Sequence, residues 1–218
     1  MQLDSFTILV AGCAVLIMLG LILGFMWVRD RATTALLWWS LPFLLGGAAL
    51  VFYTAPTWDT DVVAISFGNA LRMLALGCLW QGLRVFQGRR ALLWPLLLVC
   101  VGWMTLCFVP AFVGSMVARI VVVSLLNTAL CALSAHELWR NRAETLASRW
   151  PTIVVFSSFA LLMFVRSALV PIAPFPVGAR PLDSTWLAVF MWVVFGHAIL
   201  GAVLFIAMIK ERREAEQR

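Results

Sequence analysis

The sequence predicts an all-α fold, a polytopic membrane protein built as a bundle of seven transmembrane helices. Hydrophobic residues make up 63% of the 218 residues and charged residues only 12%, and the mean hydropathy is +1.00. Soluble domains are about half apolar and a quarter charged, so the excess of apolar side chains must face lipid. The apolar residues also occur in runs of about 20 residues, the length that crosses a bilayer as a helix.

Seven such runs are present, and each is expected to form one transmembrane helix. They cover residues 6–28, 35–53, 62–86, 91–109, 112–138, 151–170 and 185–209. Pro110 leaves only a very short turn between the fourth run and the fifth. We therefore expect residues 1–209 to form one membrane domain, and residues 210–218 to begin a cytoplasmic signalling helix or linker.

The basic residues predict how the bundle is oriented, because arginine and lysine are retained on the cytoplasmic side of a membrane. One set of loops holds Arg29, Arg31, Arg84, Arg89, Arg90, Arg140, Arg142, Arg149, Lys210, Arg212, Arg213 and Arg218. The opposite set holds Arg180 and the acids Asp4, Asp59, Asp61 and Asp183. We expect the amino terminus outside and the carboxyl terminus in the cytoplasm. The net charge of +6 follows from this topology, so it indicates no nucleic-acid partner.

The last ten or so residues predict a helix that continues beyond the seventh span. The stretch IKERREAEQR contains neither glycine nor proline. Opposite charges are spaced i,i+4 in the pairs Lys210–Glu214, Arg212–Glu216 and Glu214–Arg218. The segment is either a solvated helix end or a stalk that carries movement or dimer contacts to a cytoplasmic output domain.

Three arginines lie inside predicted spans, and an arginine at the centre of a membrane helix costs about 2.5–3.5 kcal/mol on insertion scales. They are Arg72 near the midplane, with Arg119 and Arg166 nearer the outer surface. In a structural interpretation, Asp59, Asp61 and Asp183 fold inward to pair with Arg119 and Arg166, and Arg72 bonds backbone carbonyls or Asn69.

In a functional interpretation, the same three arginines line one cavity in the outer half of the bundle. Guanidinium groups bind carboxylates, phosphates and lipid head groups through paired hydrogen bonds. The predicted ligand-binding residues are Arg72, Arg119, Arg166, Asn69, Tyr53 and His197, with Trp186 and Trp192 as further candidates. The ligand would be anionic or lipid-like.

The remaining polar residues in the spans do not predict catalysis, a cofactor or a metal site. His197 near the midplane is expected to bond a neighbouring helix, with proton or cofactor sensing as the alternative. Ser124 and Asn127 are expected to bridge helices in the same way. The five cysteines all lie in spans, at spacings that fit no metal site, and are predicted to pack as small apolar residues.

Several stretches resemble a known family, most specifically in the third span. They are LDSFTILV at the start, LLWWSLPFLLGGAALVF in the second span and AISFGNALRMLALGCLWQGLRVFQGRR in the third. Arg119 with Ser124 and Asn127, Arg166 and the ERREAEQR exit extend the similarity over essentially the whole chain. The pattern resembles the seven-span sensor domain found ahead of bacterial GGDEF diguanylate cyclases, some of which also have an EAL phosphodiesterase domain.

This resemblance implies a membrane sensor and anchor in the bacterial inner membrane that regulates cyclic-di-GMP synthesis by a C-terminal domain. The 218 residues contain no GGDEF or EAL motif, so they are not expected to be an enzyme themselves. A homodimer is left open. Two other functions are also left open. One is a small transporter or permease for an organic anion, and the other is a passive anchor or dimerisation module.

Overall fold

The computed structural model describes residues 5–54, 61–142, 144, 146–170, 172 and 185–217. Its helices are α1 (Ser5–Arg29), α2 (Thr34–Thr54), α3 (Asp61–Phe86), α4 (Leu93–Leu106), α5 (Pro110–Val113), α6 (Met116–Arg140), α7 (Arg149–Leu169) and α8 (Thr185–Glu216). Outside short connections the described chain is helical, which confirms the predicted all-α class.

Five of these helices, α1, α2, α6, α7 and α8, are long and apolar enough to cross a membrane, which indicates a multi-pass membrane protein. α3 has 26 residues but is less apolar, because it contains side chains such as Asn69, Arg72 and Gln81. α4 has 14 residues. At 1.5 Å per residue it extends about 21 Å, which is less than a hydrocarbon core of about 30 Å. Seven crossings, and their orientation, therefore remain predictions.

The connection between α4 and α6 differs most from the predicted spans 91–109 and 112–138. α4 ends at Leu106, and the short helix α5 then begins at Pro110, whose missing N–H suits a first helical position. Ser115 next accepts a hydrogen bond from the backbone N–H of Ala118 and so caps α6. A proline and a capping serine thus begin two separate helices, α5 and α6, where the sequence predicts only one short turn between two spans.

Six helices form a closed ring. The pairs in contact are α1–α2, α2–α3, α3–α6, α6–α7, α7–α8 and α8–α1. α4 lies outside this ring, against α3. Since an α-helix with its side chains is about 10–12 Å wide, a ring of six leaves a space about one helix wide at its axis. Contacts between α2 and α8 narrow that space.

One end of the bundle is closed by tightly packed aromatic side chains. Trp39 of α2 is fully buried and stacks on Phe205 of α8, with ring centroids 4.2 Å apart. Gly82 of α3 makes room for the indole, because a Cβ atom at this position would lie 2.4 Å from Cδ1 of Trp39. Phe156 of α7 continues the stack, 6.1 Å from Phe205. Three helices are therefore tied together at this level.

Most of the described charged side chains lie beyond these aromatic rings, where α1, α3, α6 and α8 finish. We call this region the charged end. It includes Arg29, Asp30, Arg84, Arg89, Glu137, Glu144, Arg149, Glu211, Arg212 and Arg213. We call the other end of the bundle the opposite end.

α8 continues past the membrane-length segment to Glu216, which confirms the predicted helical extension. Lys210 lies 3.8 Å from Glu214, in agreement with the predicted i,i+4 pair. Arg212 was predicted to pair with Glu216, and it instead bonds Glu144 in the α6–α7 connection. Arg218 lies outside the described residues.

Candidate ligand cavity

A cavity of about 170 Å³ occupies the middle of the helix ring. Its wall comprises residues between Pro42 and Tyr53 of α2, Arg72 and Leu79 of α3, Val155 and Phe159 of α7 and Phe190 and Phe205 of α8, with Leu16 of α1 and Cys131 of α6. Nearly all of these side chains are aliphatic or aromatic. Among the described residues of the wall the polar exceptions are Tyr53, Arg72 and His197, of which only Arg72 brings a fixed charge.

The cavity is elongated along the bundle. From Pro42 to Tyr53 the wall formed by α2 extends about 16 Å, at 1.5 Å per residue. Phe205 and Phe156 close it toward the charged end, where Trp39 backs Phe205. Tyr53 lies toward the opposite end. Aromatic rings therefore close the cavity toward the charged end, and its polar side chains lie nearer the opposite end.

Arg72 is placed at the middle of α3 and reaches across the ring toward α7. Its Nη2 lies 3.8 Å from Sδ of the fully buried Met163. A thioether is a weak acceptor, whereas a guanidinium has five N–H donors to satisfy. Among the residues that the structure describes, Arg72 has no carboxylate partner. Its charge is therefore held in an apolar wall with little protein compensation.

Tyr53 is oriented by the neighbouring helix. Its hydroxyl donates a hydrogen bond of 2.8 Å to Oδ1 of Asn69 on α3. Gly68 allows this approach, because a Cβ atom there would lie 2.8 Å from Cε1 of the tyrosine ring. Asn69 is outside the cavity wall and acts on the cavity only by positioning Tyr53.

His197 connects α8 to α7, as the sequence predicts. Its Nδ1 is 2.7 Å from the carbonyl oxygen of Val193, and its Nε2 is 3.1 Å from Oγ of Ser158. Because a carbonyl oxygen can only accept, Nδ1 must hold a proton. The ring lies in the cavity wall, while Ser158 is exposed on the outside of the bundle. One imidazole therefore separates the cavity from the surroundings at the α7–α8 seam.

The structure does not bring all three intramembrane arginines into one hollow. Arg166 is outside the wall, over the ring of Phe190 at 4.9 Å, and interacts electrostatically with Arg72 and Tyr53. Arg119 is also outside it. Relative to Cys131, the wall residue on the same helix, Arg119 is about 18 Å farther along α6 and about 120° around it. The predicted set of ligand-binding residues is thus divided between the wall and its surroundings.

The acids predicted to pair with Arg119 and Arg166 are Asp59, Asp61 and Asp183. Asp59, Asp183 and the side chains of Asp61 and Trp186 lie outside the described residues, so their pairing stays a prediction. Trp192 is 57% exposed and lies on the outer surface of α8.

Two buried polar residues on α6 lack the bridges predicted for them. Ser124 Oγ and both amide atoms of Asn127 are buried without a hydrogen-bond partner among the described residues. Thr128 does bridge, since its hydroxyl lies 3.3 Å from the carbonyl oxygen of Ala160 on α7. Asn127 is one turn from Cys131 on the same face of α6. A buried amide of this kind normally bonds water or a ligand.

The charged end contains a second cluster, which sequence reasoning did not identify. Glu137 of α6 is 4% exposed and accepts two hydrogen bonds from Arg89, at 2.7 and 2.8 Å. Arg84 lies 3.8 Å from the same carboxylate. Gly88, with φ of +73°, lets the chain turn back after α3 so that Arg89 faces α6. These contacts fix the end of α3 against α6.

The end of α8 bonds two connections and the end of α3, and we call this set of contacts the latch. Arg213 pairs with Asp30 in the α1–α2 connection. Arg212 pairs with Glu144 and donates to the carbonyl oxygen of Phe86 at the end of α3. The carboxylate of Glu211 accepts hydrogen bonds from Ser148, including one of 2.5 Å from its hydroxyl. The latch therefore couples α8 to the α1–α2 connection, the α6–α7 connection and the end of α3.

The latch also acts on the protonation of Glu144. Partial burial alone would raise the pKa of this carboxyl group, but the hydrogen bonds and charges of Arg212 and Arg149 together outweigh it. The net pKa lies below the usual value. The carboxylate is therefore charged, and available to both arginines, throughout the neutral pH range.

Comparison of the chain with protein-family models, with curated proteins and with solved structures gives no match.

Proposed function

We propose that this protein is a membrane-embedded input domain that binds a ligand in its central cavity and signals through α8. The observation that supports the proposal is that one helix serves both regions. Between Phe190 and Phe205, α8 forms a large part of the cavity wall. About two turns beyond Phe205 it carries the latch residues Glu211, Arg212 and Arg213.

The coupling follows from this shared helix. A ligand shifts an equilibrium only by binding one state more tightly than the other. A ligand that displaces the cavity-lining part of α8 also displaces the rigid helical end that bears the latch residues. Their bonds to Asp30, Glu144 and Ser148 would then be exchanged or lost. In this proposal the bonded latch is one arrangement of the switch, and the latch with these bonds exchanged or lost is the other.

The resemblance to sensor domains of diguanylate cyclases supplies the expected setting. In this proposal the charged end faces the bacterial cytoplasm, since basic residues are retained there. The ligand reaches the cavity from the periplasm or from the bilayer. The output is cyclic-di-GMP synthesis by a cytoplasmic domain that follows α8 or binds to it, and a homodimer is compatible with this arrangement.

A fusion protein tests the signalling role. Residues 1–218 are joined, with α8 continued in register, to a GGDEF diguanylate cyclase domain, and cyclic-di-GMP is measured in membranes. We expect Arg213→Ala and Glu144→Ala to change cyclase output about fivefold or more, the range of allosteric coupling energies. Lys210→Ala is the matched control, because its side chain is 77% exposed and pairs only within α8. Parental output from both latch variants would contradict the proposal.

Transport and passive anchoring predict other results. An organic-anion transporter would give flux of labelled anions into vesicles containing the protein, whereas an input domain gives binding without flux. A passive anchor would be replaceable by an unrelated membrane domain without any change in the regulation of the cyclase. Either result would replace the proposed function.

A further inference from the structure

The cavity wall specifies the chemistry of a ligand, and this inference rests on the proposed role of the cavity as the input site. The wall is aliphatic and aromatic apart from Tyr53, Arg72 and His197. The Tyr53 hydroxyl already donates to Asn69, and Nδ1 of His197 already faces the carbonyl of Val193. Among the described wall residues, Arg72 is therefore the one whose N–H donors have only a weak acceptor, the sulfur of Met163.

The size of the cavity limits the ligand to a compact molecule. Apolar cavities of about 150 Å³ hold a single benzene ring, and the cavity here has about 170 Å³. Pockets for drug-sized ligands have about 300–1,000 Å³. A diacyl lipid is therefore too large, whereas one ring or a chain of medium length fits between Arg72 and Phe205.

The charge of the wall favours a single negative charge on the ligand. A monocarboxylate brings one charge to the one wall guanidinium and accepts its hydrogen bonds in a paired geometry. A phosphate monoester brings about two charges at neutral pH, so one would stay unmatched in apolar surroundings. A neutral molecule would leave the Arg72 donors facing a thioether.

We propose that the cavity binds a compact apolar monocarboxylate, with its carboxylate on Arg72 and its apolar part directed toward Phe156 and Phe205. Arg166, one aromatic ring away behind Phe190, adds positive potential at the same end. The apolar part gains its affinity from the wall, and the carboxylate determines its direction.

Calorimetric titration of the whole chain in nanodiscs of neutral lipid tests this assignment, with empty nanodiscs subtracting partition into lipid. The probes are octanoate, 1-octanol and octyl phosphate. We expect octanoate to bind about tenfold or more tightly than 1-octanol, because a hydrogen bond to a charged group is worth at least that factor. Binding of octyl phosphate or 1-octanol as tightly as octanoate would overturn the proposal, as would no binding of octanoate.

Variants connect the binding to Arg72. We expect Arg72→Gln to weaken octanoate binding about tenfold or more and to leave 1-octanol binding unchanged. Arg72→Lys keeps the charge and should lose less. Arg142→Gln, which removes an exposed charge at the charged end, should bind octanoate as the parent does. Parental octanoate affinity in Arg72→Gln would overturn the proposal.

A second variant reduces the volume of the cavity and leaves the charge of Arg72 in place. Ala75 is a buried wall residue next to Arg72 on α3. Ala75→Leu fills part of the cavity, and we expect it to weaken both octanoate and 1-octanol. Unchanged binding of both probes would place them outside the cavity and overturn the assignment.

The two proposals fail in different ways. If octanoate does not bind while the latch variants still change cyclase output, the ligand assignment is wrong and the input role stands. If octanoate binds through Arg72 while the latch variants give parental output, the ligand assignment stands and the signalling role is wrong.

Discussion

The charged end and the central cavity differ in how their charged side chains are paired. At the charged end, Glu137 and Glu144 each meet two arginines. In the cavity wall, Arg72 meets only a thioether sulfur among the described residues. The first arrangement fixes connections in place. In the second arrangement the guanidinium makes no ion pair that stabilises the fold among the described residues. This is what the proposed ligand site requires of Arg72.

The largest expected effect comes from breaking the charged end at Glu137. Glu137→Gln leaves Arg84, whose side chain is 8% exposed, without its counter-charge and weakens the two bonds from Arg89. Removing one partner of a buried ion pair costs about 3–5 kcal/mol. Because the Arg89 side chain is 38% exposed, we expect a loss near the lower end, about 3 kcal/mol, in the free energy of unfolding measured in detergent micelles.

Glu214→Gln is the control for that loss. Glu214 pairs with Lys210 on the same helix, and both side chains are more than half exposed. Exposed pairs contribute about 0–1 kcal/mol. If the two glutamine variants lost equal stability, the contacts of Glu137 would be no stronger than those of an exposed pair, and the contrast with the cavity would disappear.

Replacing each of two arginines on α3 with methionine compares the cavity with the charged end directly. We expect Arg72→Met to raise the free energy of unfolding by about 1–2 kcal/mol, since an intramembrane arginine costs about 2.5–3.5 kcal/mol and its stem recovers part of this by packing. Arg84→Met, three turns farther along α3, should instead lower it, because Glu137 loses a counter-charge and the carbonyl oxygen of Arg90 loses a donor. Denaturation of both variants in the same detergent measures the two signs.

Destabilisation of equal size in the two methionine variants would contradict this expectation. It would mean that Arg72 already has an anionic partner, such as Asp59 or Asp183. The cavity would then resemble the charged end, and the structural interpretation of the intramembrane arginines would be the correct one.

The sequence predicts the helices better than their relative rotations, and this explains which parts of the site were anticipated. Apolar length identified the helices, and a charged stretch without glycine or proline identified the extension of α8, because both depend on local composition. Arg72, Tyr53 and His197 were anticipated as site residues and do line the cavity. Arg119 was expected beside them, but depth along a helix is readable from residue number, whereas the rotation that turns Arg119 away depends on packing between helices.

The latch could not be predicted for a related reason. Spacing along one chain identifies partners on the same helix, so Glu216 was the predicted partner of Arg212. Its partner Glu144 is 68 residues away in sequence and depends on how α6, α7 and α8 meet. One feature of the sequence does point to an ion pair at Glu144, because this residue is an acid in an otherwise basic loop.

The smallest effect we expect is a pH dependence of the latch, measured by comparing the parent with Glu144→Gln. The pKa of Glu144 in the folded protein lies below its ordinary value. A depressed pKa contributes stability above the ordinary value, and this contribution is lost as the pH falls through the folded value. We therefore expect the parent to be more stable than Glu144→Gln at neutral pH, and the difference to shrink below about pH 4.5.

The difference at neutral pH should stay below about 1 kcal/mol, because the Glu144 side chain is one third exposed and solvent screens its pairs. Octanoate binding to the cavity should show no such dependence between pH 7 and pH 5.5, since a carboxylate of ordinary pKa and an arginine both keep their charge there. A stability difference that persists at low pH would mean that Glu144 acts through shape rather than charge. The latch would then respond to packing in the same way as the cavity, and the two regions would differ less than their ion pairs indicate.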